Sequence, residues 1–166
     1  LADMAAKGYL VPLSDEVKAA VETGNAAGSS FVSLGTYKDK AGTDEFYAIP
    51  YKSDLKSLVW YSPDNFADAG YEVPQSYEEL KTLTEQMVAD GKTPWCIGLG
   101  SGGATGWPAT DWIEDIMLRI NTPEDYDAWV SNDLKFNDPK VVAALDEFGW
   151  FAKDDAKVAG GVAAVG

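Results

Sequence analysis

The 166-residue sequence contains no histidine, a single cysteine, and only 13 lysines and arginines against 27 aspartates and glutamates, a formal charge of −14. Without an imidazole, Ser-His-Asp and Cys-His hydrolysis, histidine-ligated zinc and histidine acid–base catalysis are excluded within this chain. The lone Cys96 forms neither an internal disulfide nor a thiolate metal cluster. The shortage of cations sets the whole-protein field against phosphate backbones and anionic lipid headgroups, so neither nucleic acid nor a polybasic membrane contact is expected as a partner. No run approaches the ~18 apolar residues that span a bilayer, and the first residues show neither the basic n-region nor the apolar h-region of a signal peptide.

What is present is enough apolar material for a core: 46% hydrophobic residues and 12% aromatics. Local signals predict a helix over residues 2–7 stopped by Gly8, and a second from about Asp15 to Glu22, with Gly24 to Gly28 breaking the pattern. Phe46–Tyr51 and Ser57–Tyr61 are β-rich in composition, with a short polar link between them. Ser62-Pro63 predicts a short helix ending at Gly70, and Ser76-Tyr-Glu-Glu79 reads as a capping box ahead of Leu80, Leu83, Met87 and Val88, with Gly91 as the stop. Trp95–Leu99 reads as a buried strand. Thr110-Asp111-Trp112 opens a helix carrying Ile113, Ile116, Met117 and Ile120, and Thr122-Pro123 and Asp138-Pro139 open two more, the last with Val142, Leu145, Phe148 and Phe151 on one stripe. Strands alternating with helices point to an α/β fold.

Several motifs carry candidate chemistry. Residues 98–103 spell G-x-G-x-x-G after an expected strand, yet no helix is expected to open at the third glycine and no basic residue lies nearby, so the dinucleotide reading fails on context. The same glycine-rich loop ends in Trp107-Pro108 just before Asp111. An indole packs on the C–H face of a sugar ring and a carboxylate accepts from its hydroxyls, so this pair suits a neutral, hydroxyl-rich ligand. Trp112, Trp129 and Trp150 fall on helical stripes and read as core, whereas Trp107 is read equally as core or as site. Glu114 with Asp115, or Asp54 with Asp111, supply the two carboxylates of a glycosidase, but chance pairs are common among 27 acids, and adjacent residues on a helix point about 100° apart. Lys52, Asp54 and Lys56 form either a polar cluster facing a cleft or a solvated loop. Asp39 and Asp44 lack the spacing of a calcium loop, and no metal is assigned.

The succession Gly8-Tyr-Leu-Val-Pro-Leu, Phe46-Tyr-Ala-Ile-Pro50, Leu58-Val-Trp-Tyr-Ser-Pro-Asp-Asn-Phe66 and Val73-Pro-Gln-Ser-Tyr-Glu-Glu-Leu80 resembles the extracellular solute-binding proteins of sugar ABC importers. Thr93-Pro-Trp-Cys-Ile-Gly98, the stretch from Ser101 to Arg119 and Phe148-Gly-Trp-Phe151 are similar to the alpha-glucoside-binding branch of that family.

The resemblance implies a periplasmic-binding-protein-like, two-lobed α/β fold of type II, incomplete in this chain. Residues 1–60 would belong to the N-terminal lobe, with a first hinge-crossing segment near their end, and 61–166 mainly to the second lobe. It implies an interior portion of a longer protein that captures an oligosaccharide or disaccharide, with no cofactor and no catalysis. Its partners would be a small sugar and the permease subunits of an ABC importer, and the receptor would be a monomer in the periplasm or outside the cell, associated with the membrane through the transporter. The segments expected to line the cleft carry Lys52, Ser53, Asp54, Gly103, Thr105, Trp107 and Asp111. Close relatives are expected to hold a second, downstream cysteine that pairs with Cys96 in the oxidising periplasm. A glycoside-processing enzyme using paired carboxylates is the competing reading.

Overall fold

A computed structural model describes residues 1–165. Leu1–Leu55 forms one compact unit, and a second begins at Lys56.

The first unit starts with α1 (Ala2–Ala6), and Gly8 follows its C-cap at φ +74°, a left-handed conformation that glycine adopts without strain. In α2 (Asp15–Gly24) the Ser14 hydroxyl accepts from the Val17 amide, and Asp15 and Glu16 face the positive end of the helix dipole. A third helix, α3 (Gly28–Leu34), occupies residues for which the sequence signals predict no element. It has no side-chain cap at its N-terminus and contains two serines, so its signal is weak; packing against α2 stabilises it instead. Strands β1 (Thr36–Lys38) and β2 (Asp44–Phe46) pair antiparallel, Thr36 opposite Phe46, around a turn in which Asp39 Oδ1 accepts from the amides of Ala41 and Thr43. Phe46 is buried and anchors this hairpin. The expected strand from Phe46 to Tyr51 therefore ends where it was meant to start.

The second unit is built on helices. The expected strand at Ser57–Tyr61 has no regular structure, and its Leu58, Val59 and Trp60 are exposed. Helix α4 (Pro63–Ala69) is capped by Ser62 and closed by Gly70 at φ +71°. In α5 (Tyr77–Ala89) the Ser76 hydroxyl accepts from the Glu79 amide, but the Glu79 carboxylate reaches back to the amide of Gln75, one residue before the partner a capping box requires. The reciprocal box forms at α7 (Pro123–Val130), between Thr122 and Asp125. Helix α6 (Trp107–Ile120) packs along α8 (Pro139–Ala152), which is capped by Asp138.

Two clusters make up the core of this unit. Ile116, Met117, Val141 and Ala144 meet where α6 crosses α8, with Trp129 packed against them. Phe151, Val158, Ile97 and Val165 form the other, flanked by Trp95 and Trp150, and Trp112 touches both. The three tryptophans expected in the core thus lie there. The α8 stripe is shifted: Val141 is fully buried while Val142 is 40% exposed. The expected strand at Trp95–Leu99 is reduced to a parallel bridge between Trp95 and Val158, in which the Trp95 amide donates to Lys157 O at 2.9 Å; further along, the Leu99 amide donates to Val165 O at 2.8 Å.

Polar contacts tie the helices together. Glu147 of α8 accepts from Lys81 Nζ at 2.9 Å and from the Tyr77 hydroxyl at 3.0 Å, both on α5. The Lys81 hydrogen bond holds the Glu147 carboxyl below the usual glutamate range against the opposing effect of desolvation, and the Tyr77 hydroxyl adds to it. A carboxyl with a lowered folded-state pKa contributes stability above the unfolded value of about 4.3, and that contribution is lost as pH falls through the folded value. Glu147→Gln is expected to cost about 0.5–1 kcal/mol at neutral pH, since the pair is partly solvent-screened, and to flatten the acid limb of stability. Urea unfolding at pH 7 and pH 3.5 checks this: the gap between wild type and variant should close at the lower pH. Buried Lys157 pairs with Glu85 at 3.0 Å and lies 3.4 Å from the centroid of the Trp150 ring.

Candidate functional site

Trp107, expected in a loop, is the first residue of α6. The glycine-rich segment before it forms a 3-10 turn at Gly102–Ala104, and the chain swings into the helix through Gly106 at φ +102°. Pro108 sits in the first helical turn, where its missing N–H leaves no bond unmade. The helix therefore opens three residues earlier than the Thr110 start expected from the sequence. Trp107 and Asp111 consequently fall four residues apart, one above the other on one helical face.

Thr105 works inside the loop: its hydroxyl donates to Gly102 O at 2.8 Å and accepts from the Ser101 amide at 3.0 Å. The Gly106 amide donates to Leu99 O at 2.9 Å and ties the loop to the segment before it. Gly103 has open space around the position a Cβ would take and no positive φ, so the backbone does not require glycine there.

Trp107 is 49% exposed. Lys56 Nζ lies 4.8 Å from the centroid of its ring and 3.3 Å from Asp111 Oδ2, so an indole, a carboxylate and an ammonium converge at the first turn of α6. Trp107 and Asp111 also line a cavity of about 1340 Å³ bounded by residues 57–62 and helices α4, α5 and α6. Trp60, Tyr61, Trp95 and Arg119, the sole arginine of the sequence, share its wall. Apolar ring faces beside carboxylates and a guanidinium suit a neutral polyhydroxylated ligand better than a flat hydrophobic one.

Lys52, Ser53 and Asp54 belong to the first unit, on an exposed stretch without regular structure. Lys52 Nζ and Asp54 Oδ1 form a solvated ion pair at 2.9 Å. Of the seven expected contact residues, the structure brings Trp107 and Asp111 to one face and uses Thr105 to brace the loop before them. Lys56 belongs to the polar cluster seen in the sequence but not to the expected ligand set. Its partner lies 55 residues away, a distance no local signal spans. The β-rich composition around Trp60-Tyr61 predicts a strand and gives no local sign of the pair's place on a cavity wall.

In the carboxylate pair Glu114 and Asp115, Asp115 Oδ2 accepts from Arg119 Nε at 2.6 Å, one helical turn away. Among the described residues no group of three or more histidine, cysteine or acidic side chains converges as a metal site. Cys96 is exposed and has no disulfide partner among the described residues. No described helix is long and apolar enough to cross a membrane.

Comparison with known proteins gives these features a context. The chain is 62% identical over 165 residues to the alpha-glucosides-binding periplasmic protein AglE of Rhizobium meliloti (strain 1021), a match covering 99% of this chain and 36% of AglE. It is 44% identical over 161 residues to the osmoprotective compounds-binding protein GgtB of Synechocystis sp. (strain ATCC 27184 / PCC 6803 / Kazusa), covering 97% of this chain and 37% of that protein. The bacterial solute receptor AcbH, which has an exclusive substrate preference for β-D-galactopyranose, matches in structure with a TM-score of 0.64 at 27% identity, over 98% of this chain and 38% of the receptor. The chain thus spans little more than a third of the length of these relatives. The structural likeness shows the expected periplasmic-binding-protein-like fold, here a helix-rich and incomplete part of it. The model of the bacterial extracellular solute-binding protein family matches residues 1–165, and the chain belongs to that family.

Proposed function

We propose that this chain is part of the substrate-binding component of an ABC importer, which captures an oligosaccharide or disaccharide of the α-glucoside class and delivers it to the permease in the membrane. The observation that carries this reading is the 62% identity with AglE across nearly the whole chain. The exposed indole and carboxylate at the start of α6 agree with it, because stacking and hydroxyl recognition need those two groups side by side. The receptor binds and releases its ligand unchanged, uses no cofactor, and works as a monomer in the periplasm or outside the cell, reaching the membrane through the transporter.

Residues 1–60 are assigned to the N-terminal lobe, including the first hinge-crossing segment, and 61–166 mainly to the second lobe, with the sugar held at the interface of the complete protein. Lys52, Ser53, Asp54, Gly103, Thr105, Trp107 and Asp111 are its proposed contacts. Closure of the lobes on the sugar would report occupancy to the permease.

Calorimetric titration of the full-length protein with maltose, sucrose, trehalose and galactose tests the reading. Heat with an α-linked disaccharide is the expected result, and no heat or thermal shift with maltose, sucrose or trehalose, whether or not galactose binds, would overturn it. Trp107→Ala is expected to weaken binding about tenfold, equivalent to ~1.4 kcal/mol, with an unchanged melting temperature because half of the indole is already in solvent. Unchanged affinity would remove Trp107 from the contact set.

A further inference from the structure

Trp107 and Asp111 present the right chemistry, but both are partly solvent-exposed and neither is packed into the core clusters. Left alone, an indole and a carboxylate on a helix surface sample several rotamers, and a ligand that needs one of them must order both on binding, which lowers affinity. Lys56 removes that freedom. Its Nζ stands 4.8 Å from the centroid of the Trp107 ring and 3.3 Å from Asp111 Oδ2, so a single cation restrains both side chains across one helical turn. The ammonium lies over the indole, of which about half remains exposed for a pyranose ring. The Asp111 oxygen that it does not engage remains an acceptor for a hydroxyl.

We propose that Lys56 is the positioning residue of the Trp107–Asp111 pair: its ammonium, held between the indole face and the carboxylate, sets both in place before the sugar arrives. This inference rests on the assignment of Trp107 and Asp111 as pyranose contacts. Lys56 is the first residue of the second unit, so it also ties the exposed start of that unit to the first turn of α6.

The test is calorimetric titration of the full-length protein with maltose, comparing wild type with Lys56→Met, Lys56→Arg, Asp111→Asn, Trp107→Ala and the Lys56→Met/Asp111→Asn double variant. Methionine keeps the unbranched stem without the charge, and arginine restores a cation that both pairs with a carboxylate and stacks on an indole. Lys56→Met should weaken binding three- to tenfold with no change in melting temperature, since the Lys56 side chain is 57% exposed. Lys56→Arg should recover most of the affinity, and the double variant should lose less than the sum of the two single losses, because the part of the Lys56 effect that runs through Asp111 is already gone while the part that runs through Trp107 remains. If Trp107→Ala and Asp111→Asn weaken binding while Lys56→Met does not, if the losses simply add, or if arginine fails to rescue, the positioning role is overturned. Wild-type binding that neither Trp107→Ala nor Asp111→Asn affects would overturn the contact assignment itself, and Lys56 with it. A wild-type protein that binds none of maltose, sucrose or trehalose would instead overturn the functional reading.

Discussion

Phe151→Ala is expected to destabilise the protein by about 4 kcal/mol, within the ~3–5 kcal/mol range for removing a fully buried phenylalanine ring. Phe151 has no exposed surface, and its ring centroid lies 4.8 Å from that of Trp150, 5.2 Å from those of both Trp95 and Trp112, and 6.2 Å from that of Tyr77. These rings come from α5, α6, α8 and the Trp95 segment, so the cavity left by alanine would open at the point where the elements of the second unit meet. Four large rings held by their own packing and polar contacts cannot close around it, and their edge-to-face and tilted contacts with Phe151 are lost as well. With a urea dependence of ~1–3 kcal/mol/M, the unfolding midpoint should fall by more than 1 M. Tryptophan fluorescence reports the same site, since three indoles border it. Val142→Ala on the same helix, at a 40% exposed position, is the control and should shift stability by less than about 0.5 kcal/mol. A Phe151→Ala cost below 1 kcal/mol would mean that the aromatic cluster is not the centre of this unit.

In the first unit, Gly28→Ala is expected to cost about 2–3 kcal/mol, the upper part of the range for forcing extra atoms into a packed site. A Cβ at Gly28 would lie 2.0 Å from the Glu22 carbonyl oxygen and 2.7 Å from the Glu22 Cα. Those are backbone atoms of α2, so no side-chain rotation relieves the clash, and α2 and α3 would have to move apart. Gly24, the last residue of α2, has nothing within 4 Å of the same position. Gly24→Ala should therefore be neutral or stabilising by up to ~0.5–1 kcal/mol through helix propensity and a less flexible unfolded chain. Thermal unfolding of the two variants side by side distinguishes crowding from a general intolerance of alanine. Equal, small effects at both positions would show that the helices separate at little cost.

Helix starts were legible wherever a side chain supplies the cap. Ser14, Ser62, Ser76, Thr122 and Asp138 each accept a backbone amide at the N-terminus expected from the sequence. A cap is a contact over two or three residues, so local sequence contains all of its determinants. The helix Gly28–Leu34 has no local signal for the converse reason: it has no side-chain cap, and its stability comes from packing on α2. Local signals put the start of α6 three residues late because Gly106, at φ +102°, turns the chain into the helix by backbone conformation alone.

Strands were less legible, since a strand exists only through its partner. Among the described residues the β-rich run Phe46–Tyr51 joins a ladder only at Phe46 and Ser57–Tyr61 joins none, and Trp95–Leu99 finds little beyond its pairing with the segment around Val158 and Val165. At the candidate site, helical spacing was enough to place Trp107 and Asp111 on one face once the helix start was known. The approach of Lys56 was not, because it depends on how residues 56–62 run past α6.

By itself, the sequence determined the chemistry excluded by the missing imidazoles, the caps and stops of most helices, the tryptophans destined for the core, and the family to which its longer motifs are similar. Only the tertiary structure decided which valine of α8 faces inward, that Trp107 opens a helix, and that a cation stands between Trp107 and Asp111. Caps and composition act over a few residues and are written locally. The phase of a buried helix face and the meeting of side chains from distant segments are set by what packs against them, and that is specified by the fold as a whole.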